Sequence, residues 1–365
     1  MTTTPTKTME QHSLHDTPIT IPDFKDLLAA RAEFYSDEEI EVFDFTLSRQ
    51  HPDPTLIRSS LLNMLDDPNV PEDQKDGVTA MFPMEPHAVQ LFCQRLKIPF
   101  MYFTRCMETI GLGGDRLDAH ANHWLNHMPK NKKWFVRFDK NSGAQKIRGI
   151  LTSRYEVYDH IEAMDLLSSY LPNQPGWSLT FTHSPTNLYV DLRNPDMVRT
   201  ICGKEIHGAI RLKNSEIGCG SLACELLTVN ATDSTGVIMT GYQGFRRTHL
   251  KKKEDFDKEF KASVEFLIEK MEASLNEVEA TQHVKILDPD EFRERVFDAF
   301  ALDIGQRRAV EEFWNVATTV TLFDAVQAIA MAGALAEISM DRKEKLQNVA
   351  GQMIYNTTRF GKWLQ

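Results

Sequence analysis

Three histidines at helical spacing are the residues in this 365-residue sequence that most resemble a metal site. His120, His123 and His127 are spaced i, i+3 and i+7, so their imidazoles share one face of a predicted helix. A closed zinc site takes four ligands, and no adjacent carboxylate or cysteine completes the set. We therefore predict exposed histidines, no bound metal and no cofactor.

A second polar constellation is the segment NSEIG, from Asn214 to Gly218. Asn214, Ser215 and Glu216 give a predicted strand donors and acceptors on both faces, and its glycine allows close backbone approach. One interpretation is a β-bulge whose side chains satisfy their own backbone. The other is a ligand surface shared with three residues of the later segment GFRRTH: Arg246, Arg247 and His249.

The segment IRGILTSRYEVYDH, Ile147 to His160, is the third candidate. Its arginines Arg148 and Arg154 are suited to phosphate contacts, and Tyr155 offers a ring on which a base can stack. Motifs of hydrolytic or phosphate-binding enzymes are missing: the sequence has no G-x-S-x-G, no G-x-x-x-x-G-K-S/T and no H-E-x-x-H.

Charge is unevenly distributed. The formal net charge of −11 argues against a general polyanion binder, yet basic residues cluster at Lys130–Arg154 and at Arg246–Lys253. Acidic residues concentrate at Ser36–Asp44 and Glu254–Glu279. The basic clusters are either solvated loops or an anion-binding face, and both interpretations stay open.

Composition indicates a cytoplasmic protein. The five cysteines are an odd number without a paired-framework spacing, and no N-terminal stretch resembles a secretory signal. The longest apolar run, AVQAIAMAGAL, is too short to span a bilayer, so we predict no membrane association.

The elements that must position these residues form an α+β fold. Alternation of apolar residues predicts two hairpins, over Trp134–Thr152 and Trp177–Asn194, followed by two more strands of a largely antiparallel sheet. A helix is predicted between the hairpins, over Ile161–Leu171. Helical periodicity also precedes and follows the sheet: one helix is predicted to begin at Ser36, the apolar residues from Phe256 to Val278 fall on one helical face, and another helix is predicted over Leu322–Trp363. The predicted organisation is a disordered tail (1–20), a helical region (21–85), an α+β core (86–253) and a C-terminal helical region (254–365).

The order of these motifs resembles the phage/plasmid-like protein family, whose domain has no known function. The resemblance covers Pro86 to Ile354, and its most specific parts are Leu151–Tyr155 and Asn214–Gly218. One departure is that LLTVNATDS stands where the family often carries a Cys-x-Asn-Gly element. No role for that cysteine is transferable.

A looser similarity is to single-strand annealing recombination proteins. That similarity implies a curved antiparallel sheet backed by helices, assembly into homo-oligomeric rings and a basic groove. Trp177 would then stack on bases, and five cations would line the groove: Arg148, Arg154, Lys213, Arg246 and Arg247. The negative net charge is a point against this similarity.

We therefore expect a protein that binds single-stranded nucleic acid, without a covalent step. The predicted contacts are Arg148, Arg154, Tyr155, Trp177, Lys213, Asn214, Ser215, Glu216, Arg246, Arg247 and His249. Two alternatives stay open. One is an enzyme acting on a nucleotide or small phosphorylated substrate, with Glu216 and His249 as acid and base. The other is an oligomeric protein that modulates a host partner.

Overall fold

The computed structural model describes residues 19–48, 53–108, 114–141, 145–172, 176–230, 238–249, 253–315, 318–335 and 339–365. Most of the predicted N-terminal tail lies outside these ranges. Within them the chain combines helices with antiparallel sheets, which confirms the predicted α+β class. None of the described helices is long and apolar enough to cross a membrane.

The described strands are β1 (Ile19–Thr20), β2 (Tyr35–Glu41), β3 (Phe45–Ser48), β4 (Thr55–Arg58), β5 (Met81–Pro83), β6 (Lys133–Asp139), β7 (Lys146–Thr152), β8 (Ser178–His183), β9 (Leu188–Ile201), β10 (Lys204–Asn214), β11 (Leu222–Asn230) and β12 (Ile238–Arg247). The described helices are α1 (Ile21–Ala32), α2 (Ser59–Asp66), α3 (Glu72–Lys75), α4 (Pro86–Leu96), α5 (Phe100–Glu108), α6 (Gly114–Asn126), α7 (His160–Tyr170), α8 (Lys253–Ala280), α9 (Pro289–Ala299), α10 (Ile304–Phe313), α11 (Leu322–Ala332) and α12 (Met340–Tyr355).

The chain divides into two compact units. The first, which we call the sheet unit, comprises the described residues up to Leu27 together with 158–214 and 221–365. The second, the hairpin unit, comprises residues 28–157 and the short connection 215–220 between β10 and β11.

A six-stranded antiparallel sheet organises the sheet unit, in the order β1-β8-β9-β10-β11-β12. Strands β8 to β12 are consecutive in the chain and form a meander, against which α8 packs. Two glycines permit this close approach: a Cβ on Gly208 would lie 2.3 Å from Cγ of Met271, and one on Gly244 would lie 2.7 Å from Cδ1 of Leu267. The predicted apolar face of α8 is confirmed, since Phe256, Phe260 and five further residues are buried: Val264, Leu267, Met271, Leu275 and Val278.

The C-terminal helices α9 to α12 complete the core of the sheet unit. The prediction of one helix over Leu322–Trp363 is wrong, because α11 ends at Ala332 and α12 begins at Met340. Helix α11 is apolar on nearly all sides and is buried on nearly all sides, which accounts for the long apolar run. A break lets α12 fold back against α11 instead of extending into solvent.

The hairpin unit contains two three-stranded sheets, β2-β6-β7 and β3-β4-β5. The predicted β6–β7 hairpin is confirmed, whereas the helix predicted from Ser36 is wrong, because Ser36 lies in strand β2. Strand β2 pairs with β6, from Tyr35 opposite Asp139 to Glu41 opposite Lys133. Ile40 is buried there, so cross-strand pairing outweighs the preference of the acidic residues for a helical first turn.

Strand β12 was not predicted from its sequence. Gly241 and Gly244 interrupt its apolar pattern, and its pairing with β11 contains two register shifts. Such irregular pairing is typical of β-bulges, which hide the period-two signal of a regular strand.

Candidate functional site

Four of the predicted site residues belong to two polar clusters, one in each unit. In the sheet unit, Tyr158 and His160 from the segment IRGILTSRYEVYDH contact Asn214 from NSEIG. His249 from GFRRTH lies beside Tyr158. In the hairpin unit, Arg148 from IRGILTSRYEVYDH forms an ion pair with Glu216 from NSEIG. We call the first group, together with Asp257, the histidine cluster. The second group is the arginine cluster and also includes three residues: Tyr35, Asp37 and Arg137.

The histidine cluster is centred on the Asn214 amide. Its nitrogen donates to the carbonyl oxygen of Tyr158 at 2.9 Å and lies 3.1 Å from Nδ1 of His160. The Tyr158 hydroxyl donates to Asp257 at 2.5 Å, and the Tyr158 ring lies 6.3 Å from the imidazole of His249 in an edge arrangement. Tyr158, His160, Asn214 and His249 are all buried. The cluster is therefore a polar network inside the unit.

Helix α7 positions the first of these imidazoles. Asp159 and Glu162 form a capping box, in which each side chain satisfies a backbone N–H at the start of the helix. This cap fixes His160 at the first helical position, two residues after the buried Tyr158. The sequence pattern D-H-I-E is a start signal for a helix, and the structure confirms the predicted helix here.

The arginine cluster is built on strands β6, β7 and β2. The guanidinium of Arg137 forms a bidentate ion pair with Asp37, with hydrogen bonds of 2.8 and 2.9 Å. It also donates to the carbonyl oxygen of Glu216 at 2.8 Å. Arg148 forms an ion pair with the Glu216 carboxylate, and its guanidinium lies 3.6 Å from the ring centroid of Tyr35. Burial raises the pKa of Tyr35, while the charges of Arg148 and Arg31 partly offset that effect.

The connection Ser215–Gly220 is held by tertiary contacts. The Tyr155 hydroxyl donates to the carbonyl oxygen of Ser215 at 3.0 Å, and Ile217 is buried against Gly149. Gly218 has φ of +74°, which a side chain would strain, and a Cβ there would lie 2.6 Å from Leu151. One local bond exists, from the Cys219 N–H to the Ser215 hydroxyl at 3.1 Å.

These contacts bear on the two interpretations of NSEIG. Asn214 is the last residue of β10, and the next residues belong to a connection instead of a strand. Asn214, Ser215 and Glu216 are buried, with 1%, 0% and 6% of their surfaces exposed. Their partners lie mainly on distant segments of the same unit. The predicted ligand contacts by these three residues stay predictions, and in this conformation the side chains serve tertiary structure.

Two cations of the first basic cluster, Lys133 and Arg137, pair with the acidic segment that follows Ser36. Strand pairing brings Asp37 to Arg137 and Glu39 to Lys133, the latter at 3.3 Å. These paired residues are distant in the sequence but lie on adjacent strands of the sheet, β2 and β6. Arg148 is also buried and paired, so Arg154 is the predicted contact of this cluster that remains exposed.

The cations on the central strands of the sheet unit are paired as well. Arg211 contacts Asp191 at 2.6 and 2.7 Å, and Lys213 contacts Glu344 of α12 at 2.5 Å. Burial raises the pKa of Glu225, and the charges of Lys213 and Arg211 lower it in part. Burial together with the nearby charge of Glu344 raises the pKa of Tyr189 to about 12.

The exposed predicted contacts of the sheet unit lie at the end of β12. Arg246 and Arg247 are exposed, and Arg247 contacts Glu259 at 2.8 Å in a solvent-accessible pair. Trp177, by contrast, is 3% exposed, and its indole N–H donates to the carbonyl oxygen of Pro172 at 2.8 Å. Its ring faces are packed in this conformation. Lys251 and Lys252 lie outside the described residues.

The predicted acid–base pair is not assembled within either unit. Glu216 belongs to the hairpin unit and is ion-paired with Arg148, whereas His249 belongs to the sheet unit and is buried beside Tyr158. A general base needs access to its substrate within hydrogen-bond reach. The two residues satisfy no such geometry together within one unit.

The three histidines at helical spacing do not converge as a triad. The indole N–H of Trp124 donates to Nε2 of His120 at 3.0 Å, whereas the rings of His123 and His127 lie 4.1 Å apart. Across the described part of the chain, no group of three or more His, Cys, Asp or Glu side chains is arranged to hold a metal ion.

Sequence reasoning missed Arg137, Tyr158, His160 and Asp257 as cluster members. A signal existed for Arg137, since it is a lone cation within the apolar strand WFVRF. A charge at such a position needs a buried partner. Nothing in the sequence identified Asp37, a hundred residues away, as that partner.

Comparison with known proteins finds no matching family model, no matching curated protein and no matching solved structure.

Proposed function

We propose that this chain binds single-stranded nucleic acid through exposed arginines, without a covalent step. The observation that carries the proposal is that each unit presents such an arginine next to an aromatic residue that tertiary contacts hold in place. Arg154 precedes Tyr155, which is fixed by its bond to Ser215 and by a turn bond from its N–H to the carbonyl of Thr152. Arg246 follows the buried Phe245. Anchored segments lose less conformational entropy when their side chains bind a phosphate.

The ion pair at Arg247 is compatible with this role. Its side chain is 44% exposed and that of Glu259 is 39% exposed. An exposed pair contributes little to stability, so a phosphate can replace the carboxylate at small cost. Tyr155 is half-buried, with its hydroxyl already bonded, and its ring is the remaining candidate for stacking on a base.

The proposal also includes the kind of protein that would use such binding, namely a single-strand annealing protein. The meander β8–β12 followed by the long helix α8 is similar to the sheet-and-helix core implied for single-strand annealing proteins. We propose on that fold-level analogy, and on the motif order, a phage or plasmid protein that anneals strands as a homo-oligomer. Light scattering of the purified protein, with and without single-stranded DNA, tests the oligomeric part.

The test of binding is fluorescence anisotropy of a labelled single-stranded DNA at several salt concentrations. We expect affinity to fall steeply between about 50 and 300 mM salt, because phosphate contacts release counterions. Arg154→Ala and Arg246→Ala each remove one contact, and each should reduce the slope of log affinity against log salt by about 1.

Arg308→Ala is the matched control. Arg308 is an exposed arginine on α10, and its replacement makes the same change in net charge. Equal effects of all three substitutions would reduce the proposal to a general charge effect. No binding at the lowest salt would refute it.

A further inference from the structure

We propose that His123 and His127 form a two-imidazole chelate for a divalent transition-metal ion such as Cu²⁺, Ni²⁺ or Zn²⁺. This inference is independent of the proposed nucleic-acid binding. It rests on the geometry of these two rings at the end of α6.

The two rings are already close together. They are one helical turn apart and their centroids are 4.1 Å from each other, with an angle of 35° between the ring planes. Both residues are exposed, so an ion can reach them. Residues at i and i+4 share a helix face, and imidazole nitrogen is a preferred ligand of zinc, copper and nickel.

The tautomer of one ring is fixed in the form that a chelate needs. Nδ1 of His127 lies 2.7 Å from the backbone carbonyl oxygen of His123. A carbonyl oxygen only accepts hydrogen bonds, so Nδ1 must carry the proton. The lone pair of His127 is therefore on Nε2. Metal-binding histidines commonly donate their other N–H to a carbonyl in this way, which orients the ring.

The helix beneath the pair is rigidly docked in the hairpin unit. Ala121 and Leu125, on the opposite face, are fully buried. The Asn122 side chain accepts from the N–H of Leu47 at 2.7 Å and donates to its carbonyl at 3.0 Å. The rings of Trp124 and His123 are nearly perpendicular, with centroids 5.6 Å apart. Such support pre-organises ligands and reduces the entropy lost on binding.

The remaining histidine of the pattern is occupied. Nε2 of His120 accepts the indole N–H of Trp124, so His120 is not a third ligand through that atom. Two protein ligands leave the other coordination positions to water. The site is therefore suited to an exchangeable ion and differs from a closed structural zinc centre with four protein ligands.

The test is isothermal titration of Cu²⁺, Zn²⁺ and Mg²⁺ into the untagged full-length protein. Cu²⁺ should bind more tightly than Zn²⁺, and Mg²⁺ should not bind at this site, because it prefers oxygen ligands. His123→Ala and His127→Ala should each lower Cu²⁺ affinity at this site by more than about tenfold, since even the loss of an outer-shell partner costs that much. His120→Ala should leave the affinity unchanged.

A conservative variant separates ligation from surface packing. His127→Gln keeps a polar side chain at the position but lacks the imidazole, so it should behave like His127→Ala. Thermal unfolding without metal checks that each variant keeps its fold, as expected for exposed positions. Undiminished affinity in both the His123 and His127 variants would overturn the proposal. Equal losses in the His120 variant would replace the chelate by a three-histidine site.

Discussion

The side-chain nitrogen of Asn214 lies 2.9 Å from the carbonyl oxygen of Tyr158 and 3.1 Å from Nδ1 of His160. One amide thus joins the end of β10 to the first turn of α7. Asn214 is 1% exposed and His160 is 5% exposed, so water cannot readily replace either bond. The relationship explains why a buried asparagine stands at the end of β10.

We expect Asn214→Ala to destabilise the protein by about 1–3 kcal/mol, because it leaves buried acceptors without donors. The free energy of unfolding in urea measures the effect. Asn126→Ala is the matched control, since Asn126 is exposed, and its effect should stay within about 0.5 kcal/mol. If both substitutions cost the same, the amide of Asn214 has no special structural role.

The buried ion pair of Arg148 and Glu216 predicts strong coupling between its partners. Arg148→Met should cost about 3–5 kcal/mol, because it leaves a buried carboxylate without its cation. The double variant Arg148→Met with Glu216→Met should be more stable than the sum of the single losses predicts. Denaturant unfolding of the four proteins of the cycle gives the coupling energy.

An exposed pair provides the contrast for that cycle. Arg295 and Glu291 lie one turn apart on α9 and are both about half exposed. Arg295→Ala should therefore change stability by no more than about 0.5 kcal/mol. A coupling energy near zero for Arg148 and Glu216 would show that their contact is as weak as the exposed one.

Because Trp177 is buried, we expect its substitution to lower the stability of the protein without changing its affinity for DNA. Trp177→Phe removes the bond from the indole to Pro172 and should cost about 1 kcal/mol of stability. Affinity for single-stranded DNA should not change, because the ring is packed inside the unit. Tyr155→Phe keeps the aromatic ring and removes only the hydrogen bond from the Tyr155 hydroxyl to the carbonyl oxygen of Ser215, so it tests that bond alone. A tenfold loss of DNA affinity in Trp177→Phe would mean that the indole is reached by the ligand after all.

The carboxyl of Glu225 predicts a specific dependence of stability on pH. Burial raises the pKa of this group above its ordinary value of 4.5, although Lys213 and Arg211 lower it in part. The folded state therefore favours the protonated form. The contribution of Glu225 to the free energy of unfolding is fully present below the ordinary pKa. It is lost as pH rises through the raised pKa of the folded state.

Glu225→Gln imitates the protonated carboxyl. We expect the variant to be more stable than the wild type at pH 7 and the difference to disappear as pH falls toward 4. Thermal unfolding measured across that pH range checks both ends of the prediction. A variant that is less stable at pH 7 would show that attraction to Lys213 and Arg211 outweighs the cost of burial.

Local patterns in the sequence determined much of the fold. The alternation in WFVRFD and the apolar face of α8 both predict the observed elements, because each signal lies within one stretch of chain. The order of hairpin, helix and second hairpin followed from turns and periodicity. The segment Asn214–Gly218 was also identified from its polar residues, and the structure places Asn214 at the end of β10.

Only the tertiary structure decided what those polar residues do. The acidic segment after Ser36 became a strand because it pairs with β6, and this pairing brings Asp37 to Arg137 across a separation of a hundred residues. The buried carboxylate of Glu216 likewise depends on a partner from a distant segment, Arg148. Periodicity records which face of an element is apolar, but the partner that satisfies a buried charge lies elsewhere in the chain and is fixed only when the sheets assemble.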